Sequence, residues 1–205
     1  MKVLVMLVHP SRDSFCGQLL DNIVGGLRED GHEVRIADLY AEGFQPALTA
    51  EDFAQFDNRP MPDDVQREQA RVEWAEGLIF VMPIWWYQYP AMFKGWIDRV
   101  FSEHWAYEYA AAFNRSKTLL GWRKTLIVAS AGGNAQTYQK YGYDRGMKAL
   151  WDTGVWGYCG FQDIRTYFFY DIKSKDMLDD DRERHMAEAK RLGRAFATLP
   201  VIEHA

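Results

Sequence analysis

The chain has 205 residues, room for one ordinary domain with its own core. Apolar residues make up 48% and charged residues 26%, which excludes a disordered or low-complexity chain. Acids outnumber bases 29 to 24, for a net charge of −5, and no basic stripe could follow a phosphate backbone, so nucleic-acid binding is not expected.

Aromatic residues reach 15%, with eight Trp, more than a core of this size requires, and so raise the question of a flat ligand. Two cysteines, Cys16 and Cys159, build neither a disulfide scaffold nor a zinc site. The five histidines show no paired-ligand spacing, so no metal is expected. The opening Met1-Lys2 and the short run Val3–Val8 carry no cleavage site, and no apolar run approaches the ~20 residues of a membrane helix. A cytoplasmic protein without membrane insertion is the expectation.

Val3–Val8 reads as a strand covered on both faces. Phe15, Leu19, Leu20, Ile23, Val24 and Leu27 then recur at helical spacing, and Gly31 should stop that helix. Glu33–Leu39 is a second strand, and the acid- and proline-bearing stretch from Phe44 to Asp64 reads as a long surface excursion. A helix over 65–76 leads to a third buried strand, Gly77–Met82, ended by Pro83. Ala91–Phe101 is helical, Lys124–Ser130 a fourth strand, Gly146–Asp152 a helix and Asp163–Phe169 a fifth strand. A charged amphipathic helix over 180–199 closes the chain, with Asp179–Asp181 stabilising its start.

Strands alternating with helices imply one α/β domain over 1–205: a doubly wound five-stranded parallel sheet in the order 2-1-3-4-5, with helices on both faces. Ligands in that architecture sit beyond the carboxyl ends of the strands, near the switch point between the first and third. Three loops leave strand ends there. The first, His9–Cys16, leads into a helix and suits either an ordinary N-cap or an anion, with Ser14 as a donor. It lacks the glycines of a dinucleotide fingerprint and the Gly-Lys-Ser/Thr of a P-loop. The second, Pro83–Pro90, holds four aromatics in eight residues, suited either to a planar heterocycle or to a plug against a helix or partner subunit. The third, Ser130–Asn134, has two glycines where a ring could approach, or a plain βα turn, with Tyr138 in reach.

Together these segments resemble the flavodoxin-like NAD(P)H:quinone oxidoreductases. This family includes the DT-diaphorase type, bacterial modulators of drug activity and ancillary flavoproteins of potassium efflux systems. The resemblance runs from about residue 2 to 170 and rests on His9–Phe15, Phe44–Phe53, Ala75–Phe80, Pro83–Trp86, Ala131–Gly133 and, most specifically, Lys94-Gly-Trp-Ile-Asp-Arg-Val-Phe101. It implies FAD, with FMN as the alternative, bound at its phosphates by His9, Ser14, Phe15 and Cys16. Pro83, Ile84, Trp85 and Trp86, with Ser130, Ala131, Gly132 and Gly133, would hold the ring. Gly132, Gly133 and Tyr138 would be catalytic, the Tyr138 hydroxyl assisting charge formation on the reduced flavin. In the DT-diaphorase type a histidine follows that tyrosine by six residues; here the position is Asp144. NADPH or NADH would be the reductant and a quinone or similar aromatic compound the acceptor. The family's other role, as a regulatory ancillary flavoprotein of a potassium-efflux transporter, is the alternative.

Asp98 and Arg99 read as a helix-surface or dimer salt bridge, and Trp151, Trp156 and Phe161 as core or dimer interface. Trp105, Tyr107 and Tyr109 alternate, so an extended segment would present them as one aromatic wall. Covered by a symmetric partner, that wall suits a homodimer with shared active sites, and the resemblance gives Tyr107 and Tyr109 that place over the partner's substrate pocket.

Overall fold

Five short segments, the inner three of them buried β-branched and aliphatic runs, form the strands of one sheet in a computed structural model that describes residues 1–57, 59–108, 120–121, 123–172 and 178–200. They are β1 (Lys2–Leu7), β2 (Glu33–Asp38), β3 (Gly77–Pro83), β4 (Lys124–Ser130) and β5 (Ile164–Phe169). All pairings are parallel and the order is β2-β1-β3-β4-β5, with Val5 opposite both Ile36 and Ile79, and Phe80 opposite Ile127. This is the doubly wound order, and β3 at its centre is buried throughout.

Alternation along the strands divides the core. Val3, Val5, Leu7, Ile79, Val81, Leu126 and Val128 face α1 (Phe15–Glu29) and α6 (Asp179–Ala195). Leu4, Met6, Leu78, Phe80, Met82 and Ile127 face the other layer, with α2 (Asp63–Trp74) and α3 (Ala91–Val100). The first helix ends at Glu29, with Asp30 as its C-cap and then Gly31, which takes φ +77° and donates to Arg28 O. Helices α1 and α6 touch backbone to backbone: a Cβ on Gly26 would press into the Lys190 carbonyl, and one on Gly193 into that of Ile23.

Beyond Ser130 the chain is more helical than its periodicity suggests. A polar helix, α4 (Ala135–Tyr141), is capped by Asn134, whose side chain accepts from Thr137 N–H. It has no apolar stripe to betray it. The segment read as a helix over 146–152 is α5 (Tyr143–Lys148) running into a π-helical stretch, Ala149–Trp156. There Gly157 N–H reaches Asp152 O, and both Trp151 and Trp156 are buried within this subunit's core, as is Phe161.

The stretch from Phe44 to Asp64 departs from its reading as a surface excursion. Phe44, Ala54 and Gln55 are buried, and Ala50–Asp57 forms a 3-10 helix that carries the fully buried Asp52. Its anchor is Arg99, which likewise is neither on the surface nor in a dimer bridge. Arg99 Nε lies 3.0 and 3.1 Å from the two Asp52 carboxylate oxygens. Its Nη1 and Nη2 donate to Asp64 at 2.6 and 3.1 Å, and Nη1 also reaches Gln45 O at 2.7 Å. Asp98 alone has the expected surface pair, with Lys94. The reason lies in helix geometry: Asp98 and Arg99 are 100° apart on α3, so one faces solvent and the other the 44–64 segment.

Arg99→Met would leave Asp52 buried without its cation, and a loss of about 3–5 kcal/mol in unfolding free energy is expected by chemical denaturation. Arg99 also holds the Asp64 carboxyl below its usual range. A carboxyl lowered on folding contributes stability above its unfolded value of ~4 and loses it as pH falls through the folded value. The variant should therefore lose part of the acid limb of the stability-against-pH curve, in addition to its general destabilisation.

Candidate functional site

The carboxyl ends of β1, β3 and β4 release three loops side by side, and backbone hydrogen bonds tie them together. Val8 N–H donates to Val81 O at 2.9 Å, Ile84 N–H to Ser130 O at 2.8 Å, and Ala131 N–H to Phe169 O at 2.7 Å. Side chains add a further tie. Cys16 Sγ, in the first turn of α1, lies 3.2 Å from Ser130 Oγ at the end of β4. Burial pushes the Cys16 thiol up to about 11, so it stays neutral and acts as a hydrogen-bonded packing group.

In the first loop, Ser14 is the N-cap of α1, its oxygen accepting from Gly17 N–H at 3.2 Å, and no acidic residue stands in the first turn. The hydroxyl proton of Ser14 remains available as a donor beside the positive end of the helix. His9 is half-buried, with Nδ1 3.0 Å from Ser11 N and its ring 6.2 Å from that of Trp85. Phe15 turns the other way, edge-on to His185 of α6.

The second loop is a tight two-residue turn. Trp85 and Gln88 exchange N–H···O bonds at 3.4 and 3.1 Å, and the central residues Trp86 and Tyr87 take φ +52° and +60°. Positive φ at both centres is the type I′ geometry, which normally takes Asn or Gly. Bulky residues there carry strain of the kind that collects at ligand sites. Trp86 is 93% exposed, a large apolar ring held out over the strand ends. Pro83 completes β3 opposite Ser130, and Ile84 is half-buried behind the turn.

The third loop, Ala131–Asn134, places Gly132 at the surface, where an added Cβ would meet nothing within 4 Å. Gly133 is backed by the Tyr138 ring, 3.1 Å from where its Cβ would lie. Beyond β5 the chain closes on this loop: Asp171, at φ +61°, donates to Gly133 O, and Ile172 to Ala131 O.

Sequence reasoning named Tyr138 but missed its company. Tyr138 is buried and meets Tyr87, Tyr143 and Tyr170 at ring-centroid distances of 5.8, 6.0 and 5.1 Å, while Tyr87 lies 4.2 Å from Tyr143. The available signal was tyrosines at 138, 141 and 143, with another immediately after the fifth strand. Burial, then the neighbouring Tyr87, raises the Tyr138 phenol. It is neutral at physiological pH and can donate a hydrogen bond.

Tyr107 is not part of this cluster. Residues 103–107 form a tight turn rather than an extended run: Glu103 bridges Tyr107, and His104 sits at φ +68°. Trp105 turns back to α2, its Nε1 2.7 Å from Glu73 Oε1, while Tyr107 packs on Tyr158. The expected wall of 105 and 107 is therefore absent within this chain, and Tyr109 lies outside the described residues.

A flavin nucleotide fits the residues on this rim: a helix start with a hydroxyl and no acid, an open glycine backbone, a raised aromatic turn and a neutral phenol. Among the described residues no three His, Cys, Asp or Glu side chains are grouped to hold a metal, and no helix is long and apolar enough to cross a membrane. The strain at Trp86 yields a test. Trp86→Asn should raise unfolding stability by about 1 kcal/mol in denaturant titrations, because Asn accepts positive φ more readily and the lost ring buries almost nothing.

Residues 1–192 match the Flavodoxin_2 family, described as having a flavodoxin-like fold. An uncharacterized NAD(P)H oxidoreductase of Haemophilus influenzae is 29% identical over 189 residues, covering 92% of this chain and 91% of the relative. NAD(P)H dehydrogenase [quinone] 1 of Cavia porcellus is 31% identical over 192 residues, covering 83% of this chain and 69% of the relative. The solved NAD(P)H:quinone oxidoreductase of Methanothermobacter marburgensis superposes with a TM-score of 0.86 at 29% identity, covering 98% of each chain. These relatives do not favour the transporter-ancillary alternative. With the doubly wound 2-1-3-4-5 sheet and its three joined loops, they place the chain in the flavodoxin-like family of NAD(P)H:quinone oxidoreductases.

Proposed function

We propose that this protein is a cytoplasmic two-electron reductase that takes hydride from NADPH or NADH and, through a bound flavin, passes it to a quinone or similar aromatic acceptor. The observation that supports this best is the hydrogen-bonded rim itself, in which anion-suited, ring-suited and glycine loops are tied side by side at one edge of the sheet. The flavin is FAD, with FMN as the alternative; when bound it supplies the acceptance and release of hydride.

Ser14 and the first-turn amides of Phe15 and Cys16 bind phosphate, with His9 beside them. Pro83, Ile84, Trp85 and Trp86 border one side of the ring site, while Ser130, Ala131, Gly132 and Gly133 allow close approach on the other. Tyr138 donates its hydroxyl toward developing negative charge, a donor that is in place before the reaction begins. In a homodimer, Tyr107 and Tyr109 of one protomer line the acceptor pocket of its partner.

The purified protein should carry a flavin spectrum or acquire one on titration with FAD or FMN; failure to bind either overturns the proposal. Gly132→Val separates site from scaffold. The open space at that backbone predicts little change in melting temperature, whereas flavin affinity should fall by at least about tenfold, ~1.4 kcal/mol. Tyr138→Phe should slow reduction by NAD(P)H roughly 10- to 100-fold, ~1.4–2.7 kcal/mol, in stopped-flow traces. Mixing Gly132→Val subunits with Tyr107→Ala/Tyr109→Ala subunits should restore one composite site per heterodimer. If activity stays absent after verified subunit exchange, the sites are not shared.

A further inference from the structure

The helices after β4 carry positive charge that the fold itself does not use. Lys140, Arg145 and Lys148 enter no ion pair among the described residues, although acids outnumber bases 29 to 24 over the chain. The acids nearest to them in sequence are turned elsewhere. Asp144 is half-buried with Oδ1 sealed from solvent, and Asp152 is buried, accepting from Thr166 Oγ1 at 2.6 Å.

Helix ends do not account for these cations. The last carbonyls of α4, those of Tyr138 and Gln139, already accept the N–H of Gly142, so Lys140 has no capping to do. Its Nζ lies instead over the Tyr141 ring, 5.1 Å from the centroid. Arg145 reaches back across the junction of α4 and α5, with Nη2 3.5 Å from where a Cβ on Gly142 would stand. Gly142, at φ +70°, turns the chain between the two helices and brings the exposed residues on either side of it to one corner.

That corner belongs to the rim. Helix α4 starts at the exit of β4, and its far end stays level with the strand ends rather than descending along the sheet. Tyr143, the first residue of α5, lies 4.2 Å from Tyr87 in the turn after β3 and 6.0 Å from Tyr138. Tyr141, more than half exposed, stacks on Tyr143 at 5.5 Å and 26°. Contacts of 4.2, 5.5 and 5.1 Å therefore lead from the aromatic turn through Tyr143 and Tyr141 to the Lys140 ammonium.

Two unpaired cations at the end of an aromatic ledge suit a phosphate monoester. NADPH differs from NADH by one such group, on the 2′-oxygen of the adenosine ribose, with a charge of about −1.5 to −2 at neutral pH. We infer that Lys140 and Arg145 bind this 2′-phosphate and make NADPH the preferred reductant. The inference rests on the reductase reading. Arg145 supplies a planar fork of donors and Lys140 a mobile point charge. Lys148, three residues beyond Arg145 on the same helix face, adds to the field that draws the anion in. The adenosine lies along the Tyr141 edge of the ledge, and the nicotinamide reaches the ring site beside Tyr87 and Tyr138. NADH presents an uncharged ribose hydroxyl to the same corner and gains nothing from the cations there.

The test reduces full-length, flavin-loaded protein with NADPH and with NADH in stopped flow, no acceptor being present. Wild type should favour NADPH about tenfold or more at low ionic strength, and added salt should erode that preference because the cations are exposed. Lys140→Gln and Arg145→Gln should each lower the ratio of second-order rate constants by roughly three- to tenfold, and Lys140→Glu should reverse it. Arg145→Lys, which keeps the charge and loses the fork, should retain part of the preference. Calorimetric titration with adenosine 2′,5′-bisphosphate against AMP gives a readout without turnover, and its affinity ratio should fall in the same variants. Equal use of the two nucleotides by wild type, or an NADPH preference unmoved by both variants, overturns the inference. So does an equal weakening of both nucleotides, which would assign the cations to the shared pyrophosphate, or an effect confined to reoxidation, which would assign them to the acceptor. Failure to take up flavin, or no reduction by either nucleotide, overturns the reductase reading. Selective binding of the bisphosphate, lost in Lys140→Gln, would in that case still establish the phosphate corner.

Discussion

Four of the five strands hand their exit to a neighbour's carbonyl, and the site depends on that repeated bond. Leu39 N–H donates to Leu7 O, Val8 to Val81 O, Ile84 to Ser130 O and Ala131 to Phe169 O. In every case the first residue past the last pair of a strand is held by the strand beside it, so the ladder runs one rung beyond the sheet. An unpaired buried amide there would cost ~1–3 kcal/mol, which is reason enough for the four bonds to form together. Their result is that each loop is tied to the neighbouring strand as it leaves, β1 and β2 level with Val81 and β3 and β4 two residues further on. Ser130 carries the most connections: its carbonyl receives Ile84, and its hydroxyl meets the Cys16 thiol, coupling α1 to β4 through the interior.

The layer beneath the aromatic turn is stiffened by a second, electrostatic construction. Helix α3 begins at Ala91, directly after the turn and Pro90, and carries Trp96 and Arg99 inward. Trp96 Nε1 donates to Glu68 of α2 at 3.0 Å, a carboxyl raised by burial, and Arg71 pairs with the same carboxylate. Arg99 binds the two aspartates of the 44–64 segment. Burying these charges is costly, and each is retained with its partner in good geometry. The same helix thus receives the strained turn at one end and clamps an otherwise irregular segment at the other.

The sheet was legible because its inner strands β1, β3 and β4, buried on both faces, are written as apolar runs. The edge strands β2 and β5, which mix in Glu33, Arg35, Arg165 and Thr166, could be placed by their spacing between helices, and all five end within a residue or two of the positions expected from the sequence. The loops could be named in advance because the strand order dictates which exits meet. What stayed hidden were features with no local signature. Arg99 lies in an amphipathic helix like any surface arginine, and its burial depends on Asp52, 47 residues earlier. The turn over 103–107 broke an alternation that held in sequence but not in backbone, because His104 adopts positive φ. Helix α4, only seven residues long and burying Tyr138 alone, gave too little apolar periodicity to detect. The tyrosine cluster is assembled from the β3–α3 turn, α4, α5 and the end of β5, so only the fold could bring it together.

The high aromatic content divides into two physical roles. Trp96, Trp151 and Trp156 are fully buried, and Trp96 and Trp156 meet the rings of Phe80 and Phe93 at 5.0 to 6.5 Å. Tyr89, two residues beyond the turn, stacks on Trp151 at 4.3 Å and takes the Trp156 indole N–H on its hydroxyl. These rings are packing, and they would be needed whether or not a ligand were bound. Trp86 and Tyr87 are different, since positive φ and exposure both oppose them there. Packing cannot account for Trp86, whose ring is almost wholly in solvent, and turn chemistry would select Asn or Gly in its place. The anchoring by Tyr89 and the π-helical stretch sets the far side of the turn, so strain in the turn is met by a rigid base rather than relaxed by movement. A ring displayed at such a cost, on such a base, above three joined strand ends is a surface built to meet another flat group.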